Sequence, residues 1–228
     1  MSRYFMRGNP LAGLEKTMML PPHFRPRSGG VSVRRYQYTA TDCDCRYCLK
    51  AEKEKSPCGE PTGCVCFEER LAAGCWTHGE LAEYLIKEIA VRRLTDRALR
   101  LLPPQTSTPF KNQAHRQRMT SIAAAMKREP SPYTAAAFLL SADPTLWKKS
   151  QQAIRGGVVD FGKIDVRGVG PDGYALLQTA KDLYHGGCRV TTDELCDPHI
   201  ISDRLFRLII RSFVIRRYGL PVEIFSSY

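Results

Sequence analysis

The chain has no long hydrophobic run. Its most apolar stretch, Leu205 to Ile215, is cut by Arg207 and Arg211 and is far shorter than the ~20 apolar residues a membrane-spanning helix needs. Met1 to Leu20 carries Arg3, Arg7, Glu15 and Lys16 with no uninterrupted apolar core, so no export signal is read there. These absences predict a protein of the reducing cytoplasm with no membrane partner. Acidic residues are in short supply: 23 Asp and Glu face 34 Lys and Arg, a formal net charge of +11. That balance argues against an acidic surface mimicking DNA and favours polyanionic partners. Histidine is scarce as well, with five residues at positions 23, 78, 115, 185 and 199. No Ser–His–Asp or paired-carboxylate arrangement can be argued from so few and so scattered groups, and a non-enzymatic protein is expected. No internal repeat is evident, which sets aside solenoids and propellers.

The 228 residues suit one large domain or two small ones, and with 43% hydrophobic and 25% charged residues the chain can bury a core and does not read as disordered. Cysteine is unevenly spread. Seven of the nine fall between Asp42 and His78: Cys43, Cys45, Cys48, Cys58, Cys64, Cys66 and Cys75, with His78 closing the segment. The residues among them (Lys53, Glu54, Lys55, Ser56, Pro57, Gly59, Pro61, Gly63) are too polar and turn-rich to form a core. Cross-linking is what orders such a segment, and a structural zinc can contribute about 10 kcal/mol to folding one. Tetrahedral zinc takes four thiolate or imidazole donors brought together in pairs by short turns, so eight candidate ligands suffice for one or two structural zinc ions. One arrangement joins Cys45, Cys48, Cys64 and Cys66, leaving Cys43, Cys58, Cys75 and His78; the spacing does not choose between this and other pairings. Disulfides, an iron–sulfur cluster and free thiols compete with zinc, which His78 and the split spacing favour. Cys188 and Cys196 lie far off and read as buried apolar residues.

Residues 1–30, punctuated by Pro10, Pro21, Pro22, Pro26, Gly29 and Gly30, read as an extended arm. Val31 to Tyr38 alternates as a strand does, placing Arg34, Tyr36 and Tyr38 on one face with Arg35 beside them; such a face can stack bases and neutralise phosphates, although packing is the commoner use of strand tyrosines. Thr77-His-Gly-Glu80 matches a capping box opening a helix to about Leu102, with Leu81, Leu85 and Ile89 along its inner strip and Arg93, Arg97 and Arg100 on another. Residues 103–112 read as a linker and domain boundary. A second helix is expected over Gln113 to Arg128, with Met119, Ile122 and Met126 inward and Arg116 and Arg118 outward. Ser131-Pro132 and Asp143-Pro144 each start a helix, the latter through about Ile154. Gly156-Gly157 is a break, Val158 to Val166 alternates like a strand, Asp172 caps a helix to His185, Thr191 to Glu194 repeats the capping-box pattern, and Asp197-Pro198 opens a final helix ending at Tyr218-Gly219. That last helix carries Arg204, Arg207 and Arg211 as a narrow stripe on an otherwise apolar cylinder and is expected to be central.

Two phosphate-binding patterns are set aside. Gly157 to Lys163 has P-loop spacing, but Ile164 stands where a magnesium-binding Ser or Thr is required and the intervening residues are strand-like. Gly168-Val-Gly170-Pro-Asp-Gly173 has dinucleotide-loop spacing, yet too little chain follows for a parallel sheet, and Pro-Asp-Gly is a turn signal in itself.

Ala135 to Trp147, Val159-Asp-Phe161, Gly173 to Gly186 and Asp203 to Gly219 resemble an uncharacterised family of small helical proteins from phages and conjugative elements of Gram-positive bacteria. The similarity covers about residues 133–219 and implies a mobile-element setting; it transfers no functional residue and does not extend to the cysteine segment. The expected fold is mostly α, with a small β/loop zinc-stabilised module and a helical C-terminal domain: an arm and strand over 1–40, the Cys/His module over 41–78, basic helices over 79–128 and a helical domain over 129–228. The expected function is non-enzymatic binding of DNA, RNA or a nucleoprotein complex through Arg34, Arg35, Tyr36, Tyr38, Arg92, Arg93, Arg97, Arg100, Arg116 and Arg118. The alternative is an anti-CRISPR-like inhibitor that docks on a host defence nuclease.

Overall fold

Ser131 ends the chain's approach to its most buried helix: its side chain accepts a hydrogen bond from the Thr134 amide, Pro132 follows at the first helical position, and every residue from Tyr133 to Ala142 is buried. A helix that is apolar all round, YTAAAFLLSA, has no solvent face to present and takes the centre. The computed structural model describes Pro10, Gly13 and residues 67–103, 108–122 and 131–220. In chain order its helices are α1 Phe67–Ala72, α2 His78–Ile89, α3 Arg92–Leu101, α4 Gln113–Thr120, α5 Pro132–Ala142, α6 Pro144–Ser150, α7 Pro171–His185, α8 Thr192–Cys196 and α9 Asp203–Tyr218. Among the described residues one hairpin, β1 Ile154–Arg155 and β2 Val158–Val159, lies between α6 and α7. The described chain is mostly helical, and no helix in it is long and apolar enough to cross a membrane.

The chain divides into two compact units, Met1–Gln37 and Tyr38–Tyr228. In the first, only Pro10, in a turn, and Gly13, in a helix, are described; the extended arm expected over 1–30 thus has a helical residue at Gly13. In the second unit α5 packs chiefly against α7 and α9, α9 against α2 and α3, and α8 against α3. Phe138, Leu139, Leu140, Leu177, Phe206, Ile209, Ile210 and Ile215 form the fully buried heart of this core. As its apolar pattern implies, α9 is central.

Local capping signals account for most helix starts. Asp143 accepts from the Leu146 amide at 2.8 Å to open α6, and Thr191 and Glu194 form a reciprocal capping box for α8. Gly186 and Gly219 close α7 and α9 at φ values of 78° and 87°, a region costly to residues bearing a Cβ,. The two-residue hairpin loop uses Gly156 and Gly157 at φ 58° and 80°, the primed-turn geometry that matches strand twist,.

Several expectations are corrected. The helix read from Thr77 to Leu102 is two helices, broken at Ala90, the one described non-glycine residue with positive φ (55°); turning there lets both α2 and α3 lay their apolar faces against α9. Residues 103–112 do not separate two cores: Pro109 and Phe110 are buried, and α3, α4 and α5 contribute to one continuous core. Helix α4 ends at Thr120, with Met119 buried and Ile122 half-buried; residues 123–130, Met126 among them, lie outside the described set. After Ser150 the chain leaves the helix and turns into the hairpin. The strand expected over 158–166 stops at Val159, because the Asp160 carboxylate takes the Gly162 amide and winds Phe161–Lys163 into a 3₁₀ turn. Gly170, whose side chain offers no cap, precedes α7 in place of Asp172. Asp197-Pro198 forms a turn, its carbonyl accepting from Ile200 and Ile201, and α9 starts later, capped by Ser202. Cys196 is buried as expected, whereas Cys188 is exposed.

Candidate nucleic-acid interface and metal donors

Cys75 and His78 sit in the hinge between α1 and α2. The amide of Gly74 donates to the Leu71 carbonyl and that of Cys75 to the Arg70 carbonyl at 2.9 Å, with Gly74 at φ 72°. This is the paired-bond stop of a Schellman motif. Two residues later Thr77 restarts a helix: its hydroxyl accepts from the Glu80 amide at 3.1 Å, and the Glu80 carboxylate accepts from the Thr77 amide at 2.7 Å. A defined stop and a defined start thus enclose Cys75-Trp76-Thr77-His78, with His78 as the first residue of α2. Phe67 packs on Trp76, Tyr84 and Tyr218, and the Arg70 guanidinium lies 4.1 Å from the centre of the Trp76 ring, so the hinge is anchored to α2 and α9 by aromatic contact.

His78 is 2% exposed, and neither ring nitrogen has a hydrogen-bond partner. Burial, reinforced by the nearby Arg211 charge, pushes its pKa down to about 3, so the imidazole is neutral, the state a metal ligand needs,. The indole nitrogen of Trp76 is likewise buried and unpartnered. Among the described residues no group of three or more metal-ligating side chains converges. Of the eight sequence-predicted donors the structure describes Cys75, half-buried, and His78; Cys43, Cys45, Cys48, Cys58, Cys64 and Cys66 lie outside the described residues. An orphaned neutral imidazole three residues from a thiol fits a zinc site in the chemistry of its donors.

The predicted phosphate-binding arginines have different fates. Arg92, Arg93 and Arg100 are exposed on α3; Arg93 and Arg100, seven residues apart, stand about 20° from each other around the axis. Arg92 is 3.9 Å from Asp96. Arg97 is turned inward and serves the core: its guanidinium donates to the Leu195 carbonyl at 2.7 Å, to the Ile201 carbonyl and to Asp203 Oδ1 at 2.9 Å, and lies over the Phe206 ring. The Asp203 carboxyl is held below its usual range, first by this Arg97 hydrogen bond. Arg116 is half-exposed on α4, and Arg118 donates to the Ser141 carbonyl at 2.6 Å. Arg34, Arg35, Tyr36 and Tyr38 lie outside the described residues.

Arg118 is one of several cations meeting the free carbonyls of helix ends. Lys111 reaches Ala142 O, Arg207 reaches Leu101 O, and Arg216 reaches Leu183 O. Arg211 donates to the carbonyls of Pro109 and Phe110, pinning the chain between α3 and α4. Cations at helix C-termini satisfy orphan acceptors and oppose the negative end of the dipole. Much of the basic excess is therefore structural, yet these side chains also adjoin one another. Arg100 and Arg207 both act on Asp203, and Arg204 and Arg118 both act on Lys111, whose pKa is lowered first by burial and then by Arg204. Two groups of charges follow: Arg97, Arg100 and Arg207 about Asp203, and Arg204, Arg118, Asp143 and Asp172 about Lys111, which precedes α4. Lys111, Arg204 and Arg207 were not among the sequence-predicted contacts; the Arg204–Arg207–Arg211 stripe was the available signal, and its meaning depended on which helix lay beside it.

The set-aside motifs carry no phosphate cradle. The Asp160 carboxylate occupies the Gly162 amide, and a Cβ on Gly173 would lie 2.7 Å from the Val169 side chain, so this glycine serves close packing. Compared with protein-family profiles, curated proteins and solved structures, the chain has no match.

Proposed function

We propose that the protein is a non-enzymatic binder of nucleic acid, encoded by a mobile element, whose cysteine segment is ordered by structural zinc. What carries this reading is the gathering of cations distant in sequence, Arg100 with Arg207 about Asp203 and Arg204 with Arg118 about Lys111, in a chain with a net charge of +11. Side chains that already spend one hydrogen bond on a helix end are pre-positioned, and their remaining N–H groups can meet phosphate oxygens. Arg92, Arg93 and Arg116 widen the same basic character on α3 and α4. The mobile-element setting is supported by the resemblance of about residues 133–219 to phage and conjugative-element proteins. The zinc reading is supported by the donor chemistry of Cys75 and His78.

Affinity for labelled DNA and RNA, read by fluorescence anisotropy across salt concentration, tests the proposal. Five phosphate contacts predict a fall in affinity on the order of several hundred-fold between about 50 and about 200 mM salt. Binding that stays flat over that range overturns it. Retention of a host partner after nuclease treatment of a lysate would instead point to a protein-directed inhibitor of a defence nuclease.

A further inference from the structure

Two packed helices meet at a corner that the rest of the protein leaves uncovered. Helix α2 ends at Ile89, α3 starts at Arg92, and Ala90 and Val91 alone separate them. Ala90 makes the corner by adopting the left-handed conformation, at φ 55° and ψ 26°. Every residue from Lys87 to Arg93 is exposed, so the corner and the first turn of α3 stand out from the body. A short turn joining two helices, with the second presented outward, is the arrangement of a helix-turn-helix.

The two sides of α3 are sharply divided. At about 100° per residue, Leu99, Arg92, Asp96, Arg100 and Arg93 follow one another over about 120° of the circumference, and all five are exposed,. Leu94, Arg97, Ala98 and Leu101 fill the opposite side and are buried. That inner side is held firmly: Arg97 donates to the carbonyls of Leu195 and Ile201 and to the Asp203 carboxylate, which fixes the roll of α3 about its axis. The outer side combines three guanidinium groups and one carboxylate with a leucine that is 44% exposed. Arg92 and Asp96 are 3.9 Å apart with side chains 95% and 71% exposed, too solvated a pair to hold either residue in place,. At the end of α2, Lys87 and Glu88 offset each other in charge.

We propose that α3 is a recognition helix that lies in the major groove of duplex DNA. The inference rests on the nucleic-acid reading above and adds the kind of nucleic acid, the element that reads it and the groove it enters. Size and side-chain chemistry carry it. A helix of 10 residues is about 15 Å long,, and the major groove of B-form DNA, about 12 Å wide, admits one; the deep, narrow groove of A-form RNA does not. Arg92 and Asp96, towards the projecting N-terminal end, suit guanine and cytosine edges, and Leu99 suits a thymine methyl group. Arg93 and Arg100 lie at one border of the exposed arc, where a helix seated in a groove faces the phosphates. Arg207 joins Arg100 about Asp203 and extends that border onto α9.

The test uses the full chain in two measurements. Selection from a pool of randomised duplexes reads sequence preference. Anisotropy at fixed salt reads affinity for the selected duplex, a scrambled duplex, the single strand and the same sequence as duplex RNA. A preferred duplex should emerge, bound at least about tenfold more tightly than the other three. Replacing its guanines by 7-deazaguanine, which removes the N7 acceptor from the major groove, should weaken binding. Arg92→Ala should lose about tenfold on the selected duplex and relax the preference at one base pair, whereas Arg93→Ala should weaken selected and scrambled duplexes alike. Thermal midpoints equal to wild type are expected for both, since both side chains are exposed,. Failure to bind any nucleic acid overturns this inference and the reading beneath it together. Salt-dependent binding that yields no preferred sequence, or that is equal for duplex RNA or the single strand, overturns this inference alone. So does a preference that survives both Arg92→Ala and Asp96→Ala unchanged.

Discussion

The junction of α4 with α5 and the hinge before α2 both bury an imidazole, and they differ in what surrounds it. At the first, the ring is a bridge: the backbone of Lys111 and the end of α5 close around His115 and leave it no unmet atom. At the second, the protein encloses His78 without bonding it. A polar group buried and bonded is stabilised by its partners, whereas one buried and unbonded keeps its desolvation cost with no hydrogen bond to offset it.

The largest expected effect breaks the first half of that comparison. His115→Leu strands the Lys111 amide and removes one of the bonds at the Phe138 carbonyl, which still accepts from the Ser141 hydroxyl, and should cost about 3 kcal/mol in a denaturant titration,. His78→Leu, measured in chelated protein, loses no hydrogen bond and should stay within about 1 kcal/mol of its parent. Equal losses at the two positions would erase the distinction.

Helix α3 repeats the contrast with arginines. Arg97→Ala removes bonds to two buried carbonyls and an ion pair, and should cost about 3 kcal/mol. Arg93→Ala, four residues earlier on the exposed face, should leave stability within about 0.5 kcal/mol. It should instead lower the slope of log affinity against log salt by about 1 unit if that residue meets phosphate.

Acid sharpens the comparison further. Burial pushes the His115 pKa down from 6.5 to about 3, against the opposing pull of the Phe138 carbonyl. Between these values the unfolded chain binds a proton that the folded one refuses. The stability due to neutral burial is whole above pH 6.5 and declines as pH falls towards 3, by up to about 1.4 kcal/mol per pH unit. Denaturant midpoints measured across this window should lose that slope in His115→Leu.

The smallest effect concerns the corner between α2 and α3. Ala90 at φ 55° carries the strain of a left-handed residue with a Cβ, and Ala90→Gly should stabilise by about 0.5 kcal/mol, the relief being partly offset by added freedom in the unfolded chain. A loss of stability there would mean that the methyl group packs more usefully than it strains.

Helix starts were legible in the chain itself. Thr77 with Glu80, Ser131 with Pro132, Asp143 with Pro144, Thr191 with Glu194 and the stop at Tyr218-Gly219 all act within four residues, so their outcome depends little on what packs above them,. The apolar completeness of α5 and α9 was equally readable, since a cylinder without a polar face has one place to go. Of the candidate site, Cys75 and His78 were proposed as donors from spacing, and Arg93 and Arg100 as part of a strip that also held Arg97; the two outer arginines are exposed and Arg97 is buried. Charge counting could not tell which cations the fold would consume: Arg97 and Arg93 look alike in sequence, and only the approach of α8 and α9 to one side of α3 turns the first into a clasp. The break at Ala90, the turn at Asp197-Pro198 and the gathering of Arg100 with Arg207 and of Arg204 with Lys111 and Arg118 were settled in the same way. Each depends on helices distant in sequence meeting, and no local propensity encodes which carbonyl a long cationic side chain will find.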